Sequence, residues 1–166
     1  KVNLSPTVAL NKQNSNIVNK GTKINLNHTN LLNTSVVLLD YTFTNRFLYT
    51  YKSCISSNEC YEKNDIISID LAKDYNKTLM VLDYSLILDS ESSYMSGNKT
   101  YLSFFNDFMT LKYEVNHQEL TYDPVIMNPN NYADKLIMKV PRELSNADTI
   151  KAVLNIRGSM YTITLK

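Results

Sequence analysis

Trp is absent from this 166-residue chain, which has only three Gly, three Arg, four Pro, two His and two Cys. With so few Gly and Pro there is no Pro/Gly-rich stretch, and composition does not shift along the chain, so no linker divides it. One domain of 1–166 is expected, long enough to bury a real core. The net charge is +1, with no acidic or basic block. That argues against a nucleic-acid binder, which needs clustered Lys and Arg to neutralise phosphates. No apolar run approaches the roughly 18–20 residues that cross a bilayer as a helix. Long amphipathic helices are missing too, which argues against a parallel α/β fold. The chain opens at Lys1 without an initiator Met. This reads as a mature or trimmed ectodomain, so a missing leader or anchor carries no information.

The two cysteines lie in YKSCISSNECYE as Cys54 and Cys60. Their spacing is too wide for a C-x2-C metal knuckle, and no second Cys/His pair is near. The flanking Ser, Asn and Glu are loop residues, so a disulfide pinching a loop tip is expected, and with it an oxidising compartment. Two free cytosolic thiols are the plainer alternative. Five N-x-S/T sequons occur, at Asn3, Asn27, Asn33, Asn76 and Asn98. They carry little information, because 21 Asn and 29 Ser/Thr make roughly four expected by chance.

Alternation of apolar and polar residues dominates, the pattern of half-buried strands. VVLLDYTF (Val36–Phe43) and LMVLDYSL (Leu79–Leu86) are nearly the same octet. Strict alternation predicts Val37, Leu39, Tyr41 and Phe43 on the core face of the first. The matching set in the second is Met80, Leu82, Tyr84 and Leu86. The other face begins apolar in each and turns polar at Asp40 or Asp83, so each strand is predicted to be covered on both sides at its start only. KINLN (Lys23–Asn27) precedes the first octet and SIDLA (Ser68–Ala72) the second. Two similar hairpins follow from this, unless two strands with similar jobs drew on one biased alphabet. Further strands are predicted at Thr7–Leu10, within an Asn-rich and loosely held start 1–20, and at Tyr101–Phe105. Thr110–Val115 and the LTYDPVIM arm read as a hairpin, with Pro124 marking an edge or bulge. Lys135–Val140, Lys151–Ile156 and Met160–Leu165 complete the set. PRELSNA (Pro141–Ala147) is predicted as a helical turn with Leu144 inward. About ten short antiparallel strands and one helical turn predict an all-β sandwich.

The order strand, VPRELSNAD, strand, short turn, strand resembles the end of immunoglobulin-like domains. There a helical turn joins strands of opposite sheets and a hairpin closes the chain. The units KINLN…NTSVVLLDYTF and SIDLA…KTLMVLDYSL resemble the immunoglobulin-like extracytoplasmic domains of low-GC Gram-positive bacteria, of the anti-sigma-factor and surface-lipoprotein type. The resemblance spans Thr22–Leu88 and Leu136–Leu165. It implies an immunoglobulin-like sandwich at the cell surface, outside the membrane and anchored to it only through other segments. The implied role is binding, sensing or scaffolding, without catalysis. The Cys54–Cys60 loop and the missing membrane helix depart from that family, and the usual Cys…Trp…Cys core is absent.

No catalytic motif stands out. His28 and His117 both fall in predicted turns, where solvated histidines are the plain expectation. Asp40 and Asp83 occupy matching places and would form a glycosidase-like pair if brought together; alternation puts both on a polar face, which favours solvent. LDSESS (Leu88–Ser93) and NPNNYAD (Asn128–Asp134) offer oxygens to a cation but lack the EF-hand spacing. No cofactor and no metal are expected. Tyr49, Tyr51 and Tyr61 flank the cysteine loop, and Tyr offers rigid amphipathic surface. These three are the candidate contact surface for a protein or glycan ligand. The alternative is an adhesin or pilus-type module that assembles through sheet edges.

Overall fold

The computed structural model describes residues 16–25, 34–88, 105–128, 134–156 and 158–166. In chain order the strands are β1 (Ile17–Asn19), β2 (Lys23–Asn25), β3 (Thr34–Thr44), β4 (Arg46–Ser56), β5 (Glu59–Ser68) and β6 (Lys77–Leu88). They continue with β7 (Met109–Val115), β8 (Gln118–Tyr122), β9 (Val125–Ile126), β10 (Lys135–Pro141), β11 (Thr149–Ile156) and β12 (Ser159–Thr164). A 3-10 turn, Arg142–Asn146, separates β10 from β11.

The expected all-β sandwich is present. One sheet runs β1-β12-β11-β7-β8 and the other β2-β3-β6-β10-β9, with β4 and β5 forming a separate two-stranded ribbon. Every pairing is antiparallel except β1 with β12. Period-two patterning explains the interior. Leu111, Tyr113, Ala152, Leu154 and Ile163 project from the first sheet onto Met80, Leu82, Leu136, Met138 and Val140 of the second. Leu144, wholly buried, plugs one end from the 3-10 turn, as its position after Pro141 predicts. This turn carries the chain from one sheet to the other, and the β11–β12 hairpin closes it.

Two crossings between sheets follow from local chemistry. Gly21, at φ +87, completes a turn whose Thr22 N–H donates to the Asn19 carbonyl at 3.2 Å, which lets β1 and β2 join different sheets. A side chain at that φ would be strained. Pro124 is buried between β8 and β9, where the chain leaves one sheet edge for the other. The β7–β8 hairpin turns through Asn116 and His117, both with positive φ as in a type I′ turn.

The structure overturns several sequence expectations. In β3, Val36 and Leu38 enter the core, while Leu39 is 40% exposed. The cause is a β-bulge: Leu38 pairs with Tyr84 and Tyr41 with Leu82, so Leu39 and Asp40 together face Asp83. The extra residue resets the alternation, and Tyr41 and Phe43 then pack inward as predicted. SIDLA is not a separate strand. Ser68 ends β5, and Asp70 nucleates a turn by accepting from the N–H groups of Ala72, Lys73 and Asp74. The two LDY octets are therefore not twin hairpins but adjacent antiparallel strands of one sheet. Residues 105–108 are helical, which corrects the end of the Tyr101–Phe105 strand. The rest of that segment, and the strand at Thr7–Leu10, lie outside the described residues.

Tyr113 is buried and donates to Glu143 Oε1 at 2.7 Å, tying β7 to the 3-10 turn. Burial, and then the Glu143 carboxylate, push its hydroxyl well above the usual tyrosine value. A group whose folded value is raised contributes stability below its unfolded value, near pH 10, and loses it as pH rises. Tyr113→Phe should therefore lose that contribution at neutral pH and make the fall in stability above about pH 10 shallower, as measured by chemical denaturation on either side of it.

Candidate functional site

The β4–β5 hairpin is inserted between β3 and β6, which are themselves neighbours in a sheet. Its base is clamped. Ile69 N–H donates to the Asn45 carbonyl at 2.9 Å, and the Thr44 hydroxyl ties the corner by donating to the Arg46 carbonyl at 2.8 Å. The buried Thr78 hydroxyl donates into the same corner, 3.1 Å from Asn45 Oδ1 and 3.2 Å from the Thr44 carbonyl. Phe47 and Ile67 then pack with Ile69 and Met127 over Leu79, Val81 and Ile137, on the outer face of the second sheet. This small second core is why β6 starts apolar on both faces.

Beyond its base the hairpin meets water. β5 is exposed at every position from Glu59 to Ile66. At the tip Cys54 and Cys60 form the expected disulfide, with Cα atoms 4.0 Å apart, around a turn at Ser57 and Asn58. A bulge beside the bridge turns Ile55 out, 77% exposed. Cross-strand pairing sorts the side chains. One face carries Phe47–Ile67, Tyr49–Asp65, Tyr51–Lys63 and Ser53–Tyr61. The other carries Leu48–Ile66, Thr50–Asn64, Lys52–Glu62 and the disulfide. Leu48, Ile55, Tyr61 and Ile66 are four of the eleven large apolar side chains exposed among the described residues. The hairpin thus carries more than a third of the large apolar side chains exposed among the described residues.

The structure thus brings the three candidate tyrosines onto one face but gives them different roles. Tyr49 is only 5% exposed and stacks on Tyr51, with ring centroids 5.8 Å apart. Burial raises the Tyr49 hydroxyl above its ordinary value, assisted by the charge of Asp65 and a hydrogen bond to it. Tyr49 therefore holds the surface in place. Tyr51 is half-buried, and Tyr61 is 49% exposed with its hydroxyl donating to Glu59 Oε1 at 3.0 Å. Leu48, Ile55 and Ile66 were not singled out in the sequence. The signal for the last two was faint: an isoleucine inside the cysteine loop, and another two residues before the expected SIDLA strand.

No family model, curated protein or solved structure matches this chain.

The remaining candidates do not converge on a site. Asp40 and Asp83 meet at the β3 bulge, yet each is taken by its own lysine: Lys20 to Asp40 and Lys135 to Asp83, both at 2.7 Å. The Asp40 bond and charge hold Lys20 above its usual value. His117 occupies the exposed β7–β8 turn, and His28 lies outside the described residues. Most of LDSESS and NPNNYAD also lies outside them. At the described start of NPNNYAD, the Asn128 side chain accepts from the Ile137 N–H and donates to the Lys135 carbonyl. Among the described residues no group of three or more His, Cys, Asp or Glu is placed to hold a metal, and no helix is long and apolar enough to cross a membrane. An open depression of about 560 Å³ is lined by Tyr75, Asn76, Pro141, Arg142, Glu143 and Asn146. Its charged groups serve the fold: Glu143 binds Tyr113, and Arg142 Nη2 donates to the Lys77 carbonyl.

Proposed function

We propose that this protein is a non-enzymatic binding or sensing domain that works outside the cytoplasm. On this reading it is an immunoglobulin-like sandwich of a bacterial surface or membrane-anchored protein. The observation that carries the reading is the disulfide-closed hairpin, which is clamped at its base and exposes Leu48, Ile55, Tyr61 and Ile66 beyond it. A loop held rigid by a scaffold loses little entropy on binding. The disulfide suits an oxidising compartment. The strand order of the β1-containing sheet, with its parallel pair at one edge, and the helical turn between sheets support the immunoglobulin-like reading. Tyr51 and Tyr61 form the contact face for a protein or glycan ligand, and Tyr49 supports them.

The reading is tested by probing glycan arrays and panels of purified extracellular proteins with the labelled chain. Tyr61→Ala and Tyr51→Ala should each weaken a bound ligand by roughly tenfold while melting temperature stays within a few degrees. Tyr49→Ala should instead lower hairpin stability. Unchanged binding by both contact variants would remove this face from consideration. The alternative, an adhesin or pilus-type module assembling through sheet edges, draws on the two open edges of the hairpin.

A further inference from the structure

We propose that two copies of this chain pair through the outer edge of β5, forming a two-fold antiparallel ribbon centred on Asn64. Among the described residues no strand covers that edge. The Cys54–Cys60 pair has the close Cα spacing, 4.0 Å, of a non-hydrogen-bonded antiparallel pair. Pairing runs without a shift from there to Arg46–Ser68. Cys60, Glu62, Asn64 and Ile66 therefore turn their N–H and C=O groups away from β4. Ile66 agrees, since its N–H donates to Asp65 Oδ1 at 2.8 Å rather than across the hairpin.

Side-chain charge then selects the register. An axis through Glu62, Lys63 or Asp65 would set like charges directly opposite, and an axis nearer either end of β5 would leave half of the strand or less in the ladder. An axis through Asn64 sets Lys63 of each copy opposite Asp65 of the other, and Tyr61 opposite Ile67. It also sets outward-facing main-chain groups against each other: Asn64 against Asn64, and Glu62 against Ile66. The Ile66 N–H passes from Asp65 to the Glu62 carbonyl of the second copy, which releases the Asp65 carboxylate towards Lys63. A lysine on an exposed edge ordinarily deters pairing; here it deters the competing registers and complements this one. The β4 edge is a poorer choice, because β4 carries Arg46 and Lys52 with no acid. The pairing uses a strand edge and does not rest on the ligand-binding reading, so a monomer that binds ligand and a dimer that does not are both distinguishable results.

The test is sedimentation equilibrium of the full chain from micromolar to millimolar concentration. Wild type should show a monomer–dimer equilibrium. Lys63→Asp and Asp65→Lys should each weaken it by roughly tenfold or more, since each turns two attractive cross-strand pairs repulsive. An equimolar mixture of the two variants should regain dimerisation, because only mixed pairs then carry complementary charges. Asp65 also supports Tyr49, so if Asp65→Lys disturbs the hairpin, the exposed Lys63→Asp carries the test alone. A wild type that stays monomeric throughout, a dimer indifferent to charge reversal, or open-ended polymers would each overturn the proposal.

Discussion

Leu38→Ala is expected to cost the sandwich roughly 2–5 kcal/mol, and Leu39→Ala less than about 0.5 kcal/mol. The two leucines are adjacent, and strict alternation would rank them the other way. Leu38 is 1% exposed and packs into the core opposite Tyr84, so truncation leaves a cavity bounded by both sheets. Leu39 sits in the bulge, 40% exposed, and shares Asp83 as its opposite residue with Asp40. Chemical denaturation of both variants measures the difference. Equal costs, or a larger cost at Leu39, would mean that the bulge is misplaced and that β3 keeps one parity throughout.

The second large effect concerns the tip. Replacing Cys54 and Cys60 with Ser should remove roughly 2 kcal/mol of local stability, by chain-entropy reasoning for so short a loop. The loss should stay local. Beyond Phe47 and Ile67 the hairpin is held by its ladder, the Tyr49–Tyr51 stack and the Thr50 hydroxyl donating to Asn64 Oδ1 at 2.7 Å. Amide hydrogen exchange in residues 49–65 should accelerate about 30-fold, while protection in β6, β10 and β11 stays unchanged. Uniform acceleration across the sandwich would show that the bridge stabilises the whole domain instead. No acceleration anywhere would show that the ladder alone fixes the tip.

These two cases also show what was legible in the sequence. Wherever a strand keeps one parity, its inward residues were readable. Leu111 and Tyr113, then Leu136, Met138 and Val140, then Ala152, Leu154 and Ile156 all fall where alternation places them. The turn at Leu144 was readable because Pro141 opens it. The β3 bulge was not, because one inserted residue leaves the local composition unchanged and shows only in its pairing with β6. SIDLA alternates like a strand, yet Asp70 supplies a turn acceptor that satisfies the same backbone locally. Its Ile69 is buried in the second core, so the apolar signal was real and its cause was different.

The site divides the same way. Cysteine spacing and the neighbouring tyrosines pointed to the loop. Alternation also put Tyr49 and Tyr51 on one face. What alternation does not reveal is that the cysteines lie at the end of a long ribbon standing beyond its sheet. That depends on β3 and β6 pairing with each other and leaving β4 and β5 without a third strand. The difference between Tyr49 and Tyr61 is likewise tertiary. Both look alike in sequence, but one lies near the clamped base, beside Asp65, and the other near the open tip.

The most direct test of the account is to replace residues 48–66 with an Asn-Gly turn joining Phe47 to Ile67. These two already face each other across the ribbon with their main-chain groups turned inward, so a two-residue turn fits the ladder there. Binding of this shortened chain and of wild type would be compared on the same glycan and extracellular-protein panels, alongside their melting curves. The expected result is a sandwich that still unfolds cooperatively within a few degrees of wild type and no longer binds the ligands wild type retains. A shortened chain that binds as well as wild type would contradict the account and move the contact surface to the sandwich itself.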